Sequence, residues 1–568
     1  MKPEFKTTFA ENIFKHKYAL SPSQTWHEKA RSIVLDVCGK GYNKQYNHSL
    51  LSNSELEFLV NIIFEQKFIP GGRYIYYAGR LARFYNNCYL LKSEEDTRED
   101  WAETCRKAMS CLATGGGIGN DYSIYRPEGQ LLRKTGGLSS GPIPLMEAIN
   151  EIGRRVMQGG SRRSAIYASL NWKHRDIEKF LHIKDWEKLT VGTTGLTVWD
   201  LKQQDFNYKA PLDMTNVSVN YDNRFLQEIG TFARTRYESF RKIPKQLPQV
   251  FIENVRQALR SAEPGFSFNF YEKENETLRN ACTEVTSEDD SDVCNLGSIN
   301  MGNIDSLEEF TDIVRIASKF LVCGTIRGEV PYKKVYDVRE KNRRLGLGLM
   351  GMHEWLLKRG QQYEVTEEMH KWLAVYEKES EKAANAHCDR LYLSTPKAYR
   401  AIAPTGTIGI LAGTTTGIEP LFAVAYKRRY LVNSNEWKFE YVIDSTADHL
   451  IKTYGLNPEK IESASSMSKD FEKRIKFQAD VQDYVDMAIS STINLPSWGS
   501  ETNNEDTVEK FAHTLAKYSP RLRGFTCYPD GARGGQPITE VPYLEAINKK
   551  GVVFDENEER CKGGICGV

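Results

Sequence analysis

Long hydrophobic runs are missing from this chain of 568 residues. No apolar stretch approaches the ~20 residues that a membrane-spanning helix needs. The first residues, Met1-Lys2-Pro3-Glu4-Phe5-Lys6, lead into no signal-peptide core. These two absences argue against a membrane or secreted protein and predict a cytoplasmic one.

An excess of charge of either sign is missing too. Lysine and arginine number 76 against 75 aspartates and glutamates, which gives a formal net charge of +1. This balance indicates neither a nucleic-acid coat nor a membrane-surface binder. Any nucleotide that the chain recognises must therefore be held by a local site.

Cysteine and linker-like sequence are sparse. The 11 cysteines, an odd number without a secretory signal, predict reduced thiols. No internal repeat and no proline- or serine-rich linker divides residues 68–545, where glycine-punctuated apolar segments alternate with amphipathic ones. That alternation predicts an α/β body.

The two ends of the chain differ from this body. Ser54-Glu55-Leu56-Glu57 predicts a capping box, and Trp26–Val37 predicts another helix, so we expect a small helical N-terminal region over residues 1–67. Residues 546–568 contain the charged run Asp555-Glu556-Asn557-Glu558-Glu559-Arg560 and predict a mobile tail.

Three cysteine motifs carry the chemistry: Asn86-Asn87-Cys88-Tyr89-Leu90, Asn280-Ala281-Cys282-Thr283-Glu284 and Cys294-Asn295-Leu296-Gly297-Ser298-Ile299-Asn300. A thiol between an amide and a carboxylate suits radical chemistry on a sugar. Cys282 could abstract a hydrogen atom as a thiyl radical, and its thiol form dominates near neutral pH because an unperturbed cysteine has a pKa of ~8.5. Glu284 could act as general base, and Asn280 could orient hydroxyls. The alternative is that each cysteine is a small buried hydrophobe.

Together these segments resemble the ribonucleotide reductase large chain. The resemblance implies a ten-stranded α/β barrel with the Asn-Cys-Glu loop inside it. It also implies that Cys88 protonates the departing 2′-hydroxyl of the substrate ribose and then forms a disulfide with Cys294. A ribonucleoside di- or triphosphate is the implied substrate, and the sequence does not choose between the two.

Two glycine-containing turns have different interpretations. Pro404-Thr405-Gly406-Thr407-Ile408-Gly409 offers amides and hydroxyls suited to phosphate oxygens, and it matches the reductase motif that holds the substrate phosphates. Taken alone, it could be only a turn. Gly346-Leu347-Gly348-Leu349-Met350-Gly351 spells a dinucleotide-binding pattern but follows Lys341-Asn342-Arg343-Arg344 instead of a hydrophobic strand. We interpret it as close backbone packing in the barrel.

Further loops are rich in glycine and arginine. They include Arg126 and the run Gly159-Gly160-Ser161-Arg162-Arg163. Arg162 and Arg163 could clamp a triphosphate or a base, or could simply be solvated. The resemblance implies that such loops bind a deoxynucleotide effector at the face of a homodimer; the sequence leaves monomer and dimer open.

The last two cysteines, Cys561 and Cys566, stand on the predicted tail. They could be half of a zinc site, but no matching Cys or His pair lies nearby. A thiol pair at a chain end suits re-reduction of Cys88 and Cys294 by disulfide exchange. The resemblance implies that thioredoxin or glutaredoxin in turn reduces this pair.

The radical source is indicated by Gly524-Phe525-Thr526-Cys527-Tyr528-Pro529-Asp530-Gly531. Reductases that borrow a radical from a ferritin-like subunit carry two adjacent tyrosines here, whereas this segment has one. It resembles the adenosylcobalamin-dependent class, whose cofactor makes its own carbon radical. Pro529 and Ala532 depart from that class pattern, and no metal ligand can be named.

The sequence therefore predicts an adenosylcobalamin-dependent ribonucleotide reductase. Residues 1–67 lack the glycine-rich opening of the family's ATP-binding domain, so we expect no activity control by ATP and dATP. One alternative is a large subunit that takes its radical from a partner protein. Another is an inactive nucleotide-binding regulator.

Overall fold

The computed structural model of the chain describes residues 4–40, 48–133, 136–156, 164–192, 195–205, 208–230, 246–432, 436–532, 538–549 and 553–555. The α-helices are α1 Thr8–Ile13, α2 Trp26–Val37, α3 Asn53–Phe64, α4 Gly72–Tyr77, α5 Arg98–Ala113, α6 Ile143–Arg155, α7 Ile177–Leu181, α8 Val198–Gln204, α9 Asn223–Glu228, α10 Gln249–Ser261, α11 Leu307–Arg327, α12 Lys333–Asn342, α13 Met352–Lys358, α14 Glu367–Arg390, α15 Gly406–Ala412, α16 Ser445–Tyr454, α17 Phe471–Gln482, α18 Val508–Tyr518 and α19 Tyr543–Asn548. A π-helical turn, Phe14–Tyr18, follows α1.

The strands are β1 Phe68–Pro70, β2 Cys88–Lys92, β3 Gly117–Asp121, β4 Ile166–Asn171, β5 Thr215–Tyr221, β6 Gly265–Phe268, β7 Leu278–Arg279, β8 Thr286–Ser287, β9 Asp292–Asn300, β10 Leu345–Met350, β11 Ala425–Val432, β12 Glu436–Ile443, β13 Thr492–Leu495, β14 Gly524–Pro529, β15 Ile538–Glu540 and β16 Val553–Asp555. Ten of them form one sheet, in the order β1-β9-β2-β3-β4-β5-β6-β14-β13 with β10 beside β9. The α/β fold and the ten-stranded sheet predicted from the sequence are confirmed.

The sheet consists of two halves, each parallel within itself except for β1, which is antiparallel to β9. Strands β2 to β6 are parallel to one another, and they meet the other half antiparallel, at the β2–β9 pair and at the β6–β14 pair. Single bridges join Leu347 to Arg400 and Ile402 to Ile489, so residues 400–402 link β10 to the segment that leads into β13. These bridges close the sheet into a barrel.

The N-terminal helices pack on the barrel. The predicted helix Trp26–Val37 has those bounds and begins with a capping box between Thr25 and Glu28. The predicted capping box at Ser54 is wrong by two residues, because α3 is capped by Ser52 and Glu55. Leu51, just before the cap, is buried in the same cluster as Leu56, which is the arrangement of a hydrophobic staple and favours the earlier start.

The outer elements complete the chain. A separate four-stranded antiparallel sheet has the order β15-β11-β12-β16; β11 and β12 lie between barrel strands β10 and β13 in the chain, and β15 and β16 follow β14. The predicted tail boundary at residue 546 falls inside α19, and β16 continues to Asp555. The division into residues 1–67, 68–545 and 546–568 stays a prediction. Among the helices of the described ranges, none has the length and apolar character needed to cross a membrane.

Candidate active site

A short hairpin carries the motif around Cys282. Strands β7 and β8 pair antiparallel, Leu278 opposite Ser287, and residues 280–285 form the tip. The hairpin lies against β3, where a Cβ atom on Gly119 would be 1.7 Å from the Arg279 carbonyl oxygen. Only glycine permits this approach. The tip turns sharply at Thr283, which has a φ of 71°.

Asn280 joins this tip to the first cysteine motif. Its side-chain amide donates a hydrogen bond to Cys88 Sγ at 2.8 Å, and its side-chain oxygen accepts one from the Val285 N–H at 2.9 Å. The Thr283 N–H donates to the Asn280 carbonyl oxygen at 2.9 Å. Asn280 is therefore held from both sides, and it places Cys88 beside the loop that carries Cys282.

Cys88 and Cys294 lie directly opposite each other, one on β2 and one on β9. Both are buried and reduced. Cross-strand neighbours have Cβ atoms about 4.5–5.5 Å apart, close to the roughly 3.5–4.5 Å of a disulfide. Burial raises the pKa of both thiols well above the usual range, and the nearby Glu284 adds to the effect. Each sulfur therefore holds its proton at neutral pH.

Glu284 is the buried carboxylate of the site. It is 1% exposed, and its Oε2 atom has no hydrogen-bond partner among the described residues. Burial raises its pKa to about 7, while an interaction with Asn280 acts in the opposite direction. A carboxyl group with this pKa is ready both to take and to give a proton near neutral pH.

The loop of residues 404–408 faces these groups. Thr405 has a φ of 49°, its Oγ1 atom accepts a hydrogen bond from the Gly417 N–H at 2.8 Å, and α15 begins directly after it. A cavity of about 130 Å³ lies between the two regions. The predicted residues that line it are Cys88, Asn280, Cys282, Glu284, Pro404, Thr405, Gly406, Thr407 and Ile408.

Sequence reasoning gave no role to several lining residues, among them Tyr18, Arg73, Asn87 and Ser298, although Asn87 and Ser298 belong to the cysteine motifs. Ser298 follows Cys294 and Leu296 at the two-residue period of a strand, and this pattern could have placed it on the same face. Nothing comparable marks Tyr18, which comes from the π-helical turn far away in the sequence.

Other predicted residues lie elsewhere. Arg126 donates a hydrogen bond to the Asp96 carbonyl oxygen at 2.9 Å and forms an ion pair with its carboxylate, outside the cavity lining. The remaining loop and tail predictions lie outside the described residues: Gly159, Gly160, Ser161, Arg162, Arg163, Cys561 and Cys566.

Two further sequence interpretations can be compared with the fold. The pattern from Gly346 to Met350 lies in β10, and Gly351 precedes α13. A Cβ on Gly348 would lie 2.7 Å from the Ala401 carbonyl oxygen, so close backbone packing is confirmed. Cys527 on β14 points to α10, with Sγ 3.5 Å from the Ala258 carbonyl oxygen. Burial raises its pKa to about 12. This thiol is thus separated from the cavity.

Comparison with known proteins gives a consistent result. The family described as "Ribonucleotide reductase, barrel domain" matches residues 86–378 and 397–526. The vitamin B12-dependent ribonucleoside-diphosphate reductase of Mycobacterium tuberculosis (strain CDC 1551 / Oshkosh) is 25% identical over 100% of this chain and 85% of that protein. The protein of the same name from Thermoplasma acidophilum is 26% identical over 83% of this chain and 65% of that one.

A solved structure has the same fold. The class Id ribonucleotide reductase alpha subunit of Actinobacillus ureae superposes with a TM-score of 0.68, covering 92% of this chain and 97% of that one. The sequence identity is 14%, so this likeness concerns the fold.

Proposed function

The chain belongs to the ribonucleotide reductase family, and from that membership we propose that it uses adenosylcobalamin and thiyl-radical chemistry to make 2′-deoxyribonucleotides. The family assignment makes it an oxidoreductase that acts on a nucleotide. The cofactor is proposed because the relatives from Mycobacterium tuberculosis and Thermoplasma acidophilum are named vitamin B12-dependent.

One observation carries the proposed chemistry. Cys88, Asn280, Cys282 and Glu284 line one cavity, and the loop of residues 404–408 lines its other side. The Oε2 atom of Glu284, which has no hydrogen-bond partner in the part of the chain that the structure describes, supports a ligand there, because leaving a buried polar atom without a partner is costly. A ribose beside Cys282 with its phosphates at residues 404–408 would fill this space.

The side chains then have distinct roles. Cys282 abstracts the 3′-hydrogen atom, and Glu284 accepts the proton of the 3′-hydroxyl. Asn280, which is already fixed by Val285, orients the ribose hydroxyls. Cys88 donates its proton to the departing 2′-hydroxyl, which leaves as water, and its raised pKa suits it to hold that proton until then.

The electrons come from the two buried thiols. The substrate gains two electrons and loses its 2′-hydroxyl as water. Cys88 and Cys294 together lose two hydrogens and become a disulfide. Their opposed positions on β2 and β9 support this pairing, because little movement would bring the sulfurs into bonding distance.

The cofactor must reach Cys282 from outside. When bound, adenosylcobalamin supplies a carbon-centred radical near that sulfur. Cys282 is partly exposed, unlike Cys88 and Cys294, and this fits such an approach. The cavity of about 130 Å³ is far smaller than a corrin ring, so the cofactor would lie outside it, next to the partly exposed Cys282.

The other predicted partners remain part of this proposal. A deoxynucleotide effector would bind near Arg126 and residues 159–163, and a second copy of the chain would complete that face. Thioredoxin or glutaredoxin would supply electrons through Cys561 and Cys566. The inactive-regulator alternative is disfavoured because Cys88, Cys282 and Glu284 line one cavity and Cys294 lies opposite Cys88 on β9.

The pH dependence of the rate tests the role of Glu284. The base form is the carboxylate, and a pKa of about 7 means that its fraction rises between pH 6 and 8. We expect kcat/KM for deoxyribonucleotide formation to rise with pH through this range and then level off. Glu284→Gln should abolish this rise with pH and should lower the rate about 10²–10⁴-fold, the usual contribution of a general base.

Glu288→Gln is the matched control, since Glu288 is an exposed carboxylate just beyond β8 on the same hairpin. Its profile should match that of the wild type. A Glu284→Gln variant that keeps the wild-type profile would contradict the base assignment. Wild-type protein that forms no deoxyribonucleotide at any pH with adenosylcobalamin and dithiothreitol would contradict the proposed function itself.

Replacing Cys561 and Cys566 together by serine tests the tail. Multiple turnovers driven by thioredoxin should stop, because no thiol pair would carry electrons to the Cys88–Cys294 disulfide. Dithiothreitol, which is small enough to enter the active-site cavity, should still support turnover. A single turnover of pre-reduced protein serves as the control and should be normal. Equal thioredoxin-driven rates in the variant and the wild type would exclude the shuttle.

A further inference from the structure

The π-helical turn Phe14–Tyr18 brings two side chains to the candidate active site. Tyr18 is 3% exposed and lines the cavity. The Nζ atom of Lys17 lies 3.5 Å from the hydroxyl of Thr407 at the cavity rim, and it stands 5.5 Å from the centroid of the Tyr18 ring. The chain separation between Lys17 and Thr407 is 390 residues, so the fold alone creates this contact.

The turn is anchored firmly. Phe14 packs against Phe5 and Trp26, with ring centroids 5.5 and 5.6 Å away. Ahead of it, Lys6 donates to the Gly413 carbonyl oxygen at 3.2 Å, just after the end of α15. The N-terminal segment therefore contacts both ends of α15, which places residue 17 at the cavity rim with its side chain exposed.

The charges around the cavity favour a role for Lys17. Arg73 is the one cationic residue in the lining formed by the described residues, and Glu284 the one acidic residue. A nucleoside diphosphate at residues 404–408 brings several negative charges to this rim. An ammonium group 3.5 Å from the Thr407 hydroxyl would be within reach of the outermost phosphate oxygens, to which it would donate charge-assisted hydrogen bonds.

We propose that Lys17 is a substrate-binding residue that contacts the terminal phosphate of the ribonucleotide. This inference rests on the proposed function, because it assumes that a nucleotide occupies the cavity with its phosphates at residues 404–408. The N-terminal region, predicted from sequence only as a small helical region preceding the barrel, then forms part of the substrate site.

The test compares Lys17→Met with Lys15→Met. Lys15 belongs to the same turn, but its Nζ atom donates to the carbonyl oxygens of Pro22 and Gln24, each at 2.9 Å, away from the cavity. Binding of CDP and CMP to the purified chain is measured by calorimetry, which requires no turnover. Lys17→Met should weaken the binding of CDP five- to tenfold, about 1–1.4 kcal/mol, and should leave the affinity for CMP nearly unchanged. Lys15→Met should bind both like the wild type.

Activity provides the second readout. Lys17→Met should raise KM for CDP by the same five- to tenfold with a much smaller change in kcat, and Lys17→Arg should restore most of the loss. Equal CDP affinity in Lys17→Met and Lys15→Met would overturn the inference. An equal loss of affinity for CDP and CMP in Lys17→Met would overturn it too. Absence of reductase activity in the wild type, with the CDP difference intact, would refute the proposed function but keep the phosphate contact.

Discussion

Replacing Cys282 by alanine should abolish deoxyribonucleotide formation while nucleotide binding stays near the wild-type level. The thiol acts in the transition state and contributes little to ground-state binding, so the loss falls on kcat. Even ~4 kcal/mol of lost transition-state stabilisation reduces the rate about a thousandfold. The measurement is product formation per chain, together with the affinity for CDP.

Cys105→Ala is the matched control for this variant. Cys105 is a half-buried free cysteine on α5 that is not part of the cavity lining. Its loss should leave turnover within about twofold of the wild type. A Cys282→Ala chain that keeps a tenth of the wild-type rate would rule out the thiyl assignment, whatever the control does.

Addition of adenosylcobalamin should be sufficient to give the purified chain reductase activity, with no other radical source. With a ribonucleotide and dithiothreitol, we expect deoxyribonucleotide without iron, manganese or a second protein. The physical reason is the single tyrosine of β14: a relay from another subunit needs adjacent redox side chains, whereas Tyr528 is followed by Pro529 and preceded by Cys527, whose sulfur faces α10. Tyr528→Phe should therefore keep the rate within about tenfold, or ~1.4 kcal/mol.

The rival large-subunit proposal makes the opposite prediction. The barrel of the class Id alpha subunit from Actinobacillus ureae shows that this fold also occurs among class I reductases. A chain that stays inert with adenosylcobalamin and gains activity on addition of a ferritin-like metalloprotein would establish the rival. Loss of activity in Tyr528→Phe under cobalamin-driven conditions would also count against the absence of a relay.

Local patterns predicted local structure well and failed where two patterns compete. The helix Trp26–Val37 has its predicted bounds because the Thr25–Glu28 capping box and the apolar spacing agree. For α3, the sequence offers a serine followed by a glutamate three residues later at two positions, and only the burial of Leu51 beside Leu56 favours the earlier one. That burial is a tertiary fact, which a capping rule does not contain.

The candidate site likewise depends both on local sequence motifs and on packing between distant parts of the chain. The motifs around Cys88, Cys282 and Cys294 led to the proposed chemistry, but the positions of these residues depend on the β2–β9 register and on the hairpin that Gly119 permits. Lys17 and Tyr18 had no motif at all. Their place at the cavity comes from packing of Phe14 against Phe5 and Trp26, and no short-range pattern encodes where that cluster sits on the barrel.

The opposed positions of Cys88 and Cys294 have a consequence for the stability of the protein against unfolding. The pair spans one of the two seams where the antiparallel halves meet, so its oxidation staples the halves and closes a covalent ring through residues 88–294. Such a ring lowers the entropy of the unfolded chain, and long rings lower it most. Under the proposed cycle, each turnover would alternate between the barrel with free thiols and the barrel with the disulfide. Deprived of reductant, a chain that works by this cycle would come to rest in the disulfide form, so that loss of activity would coincide with greater resistance to unfolding.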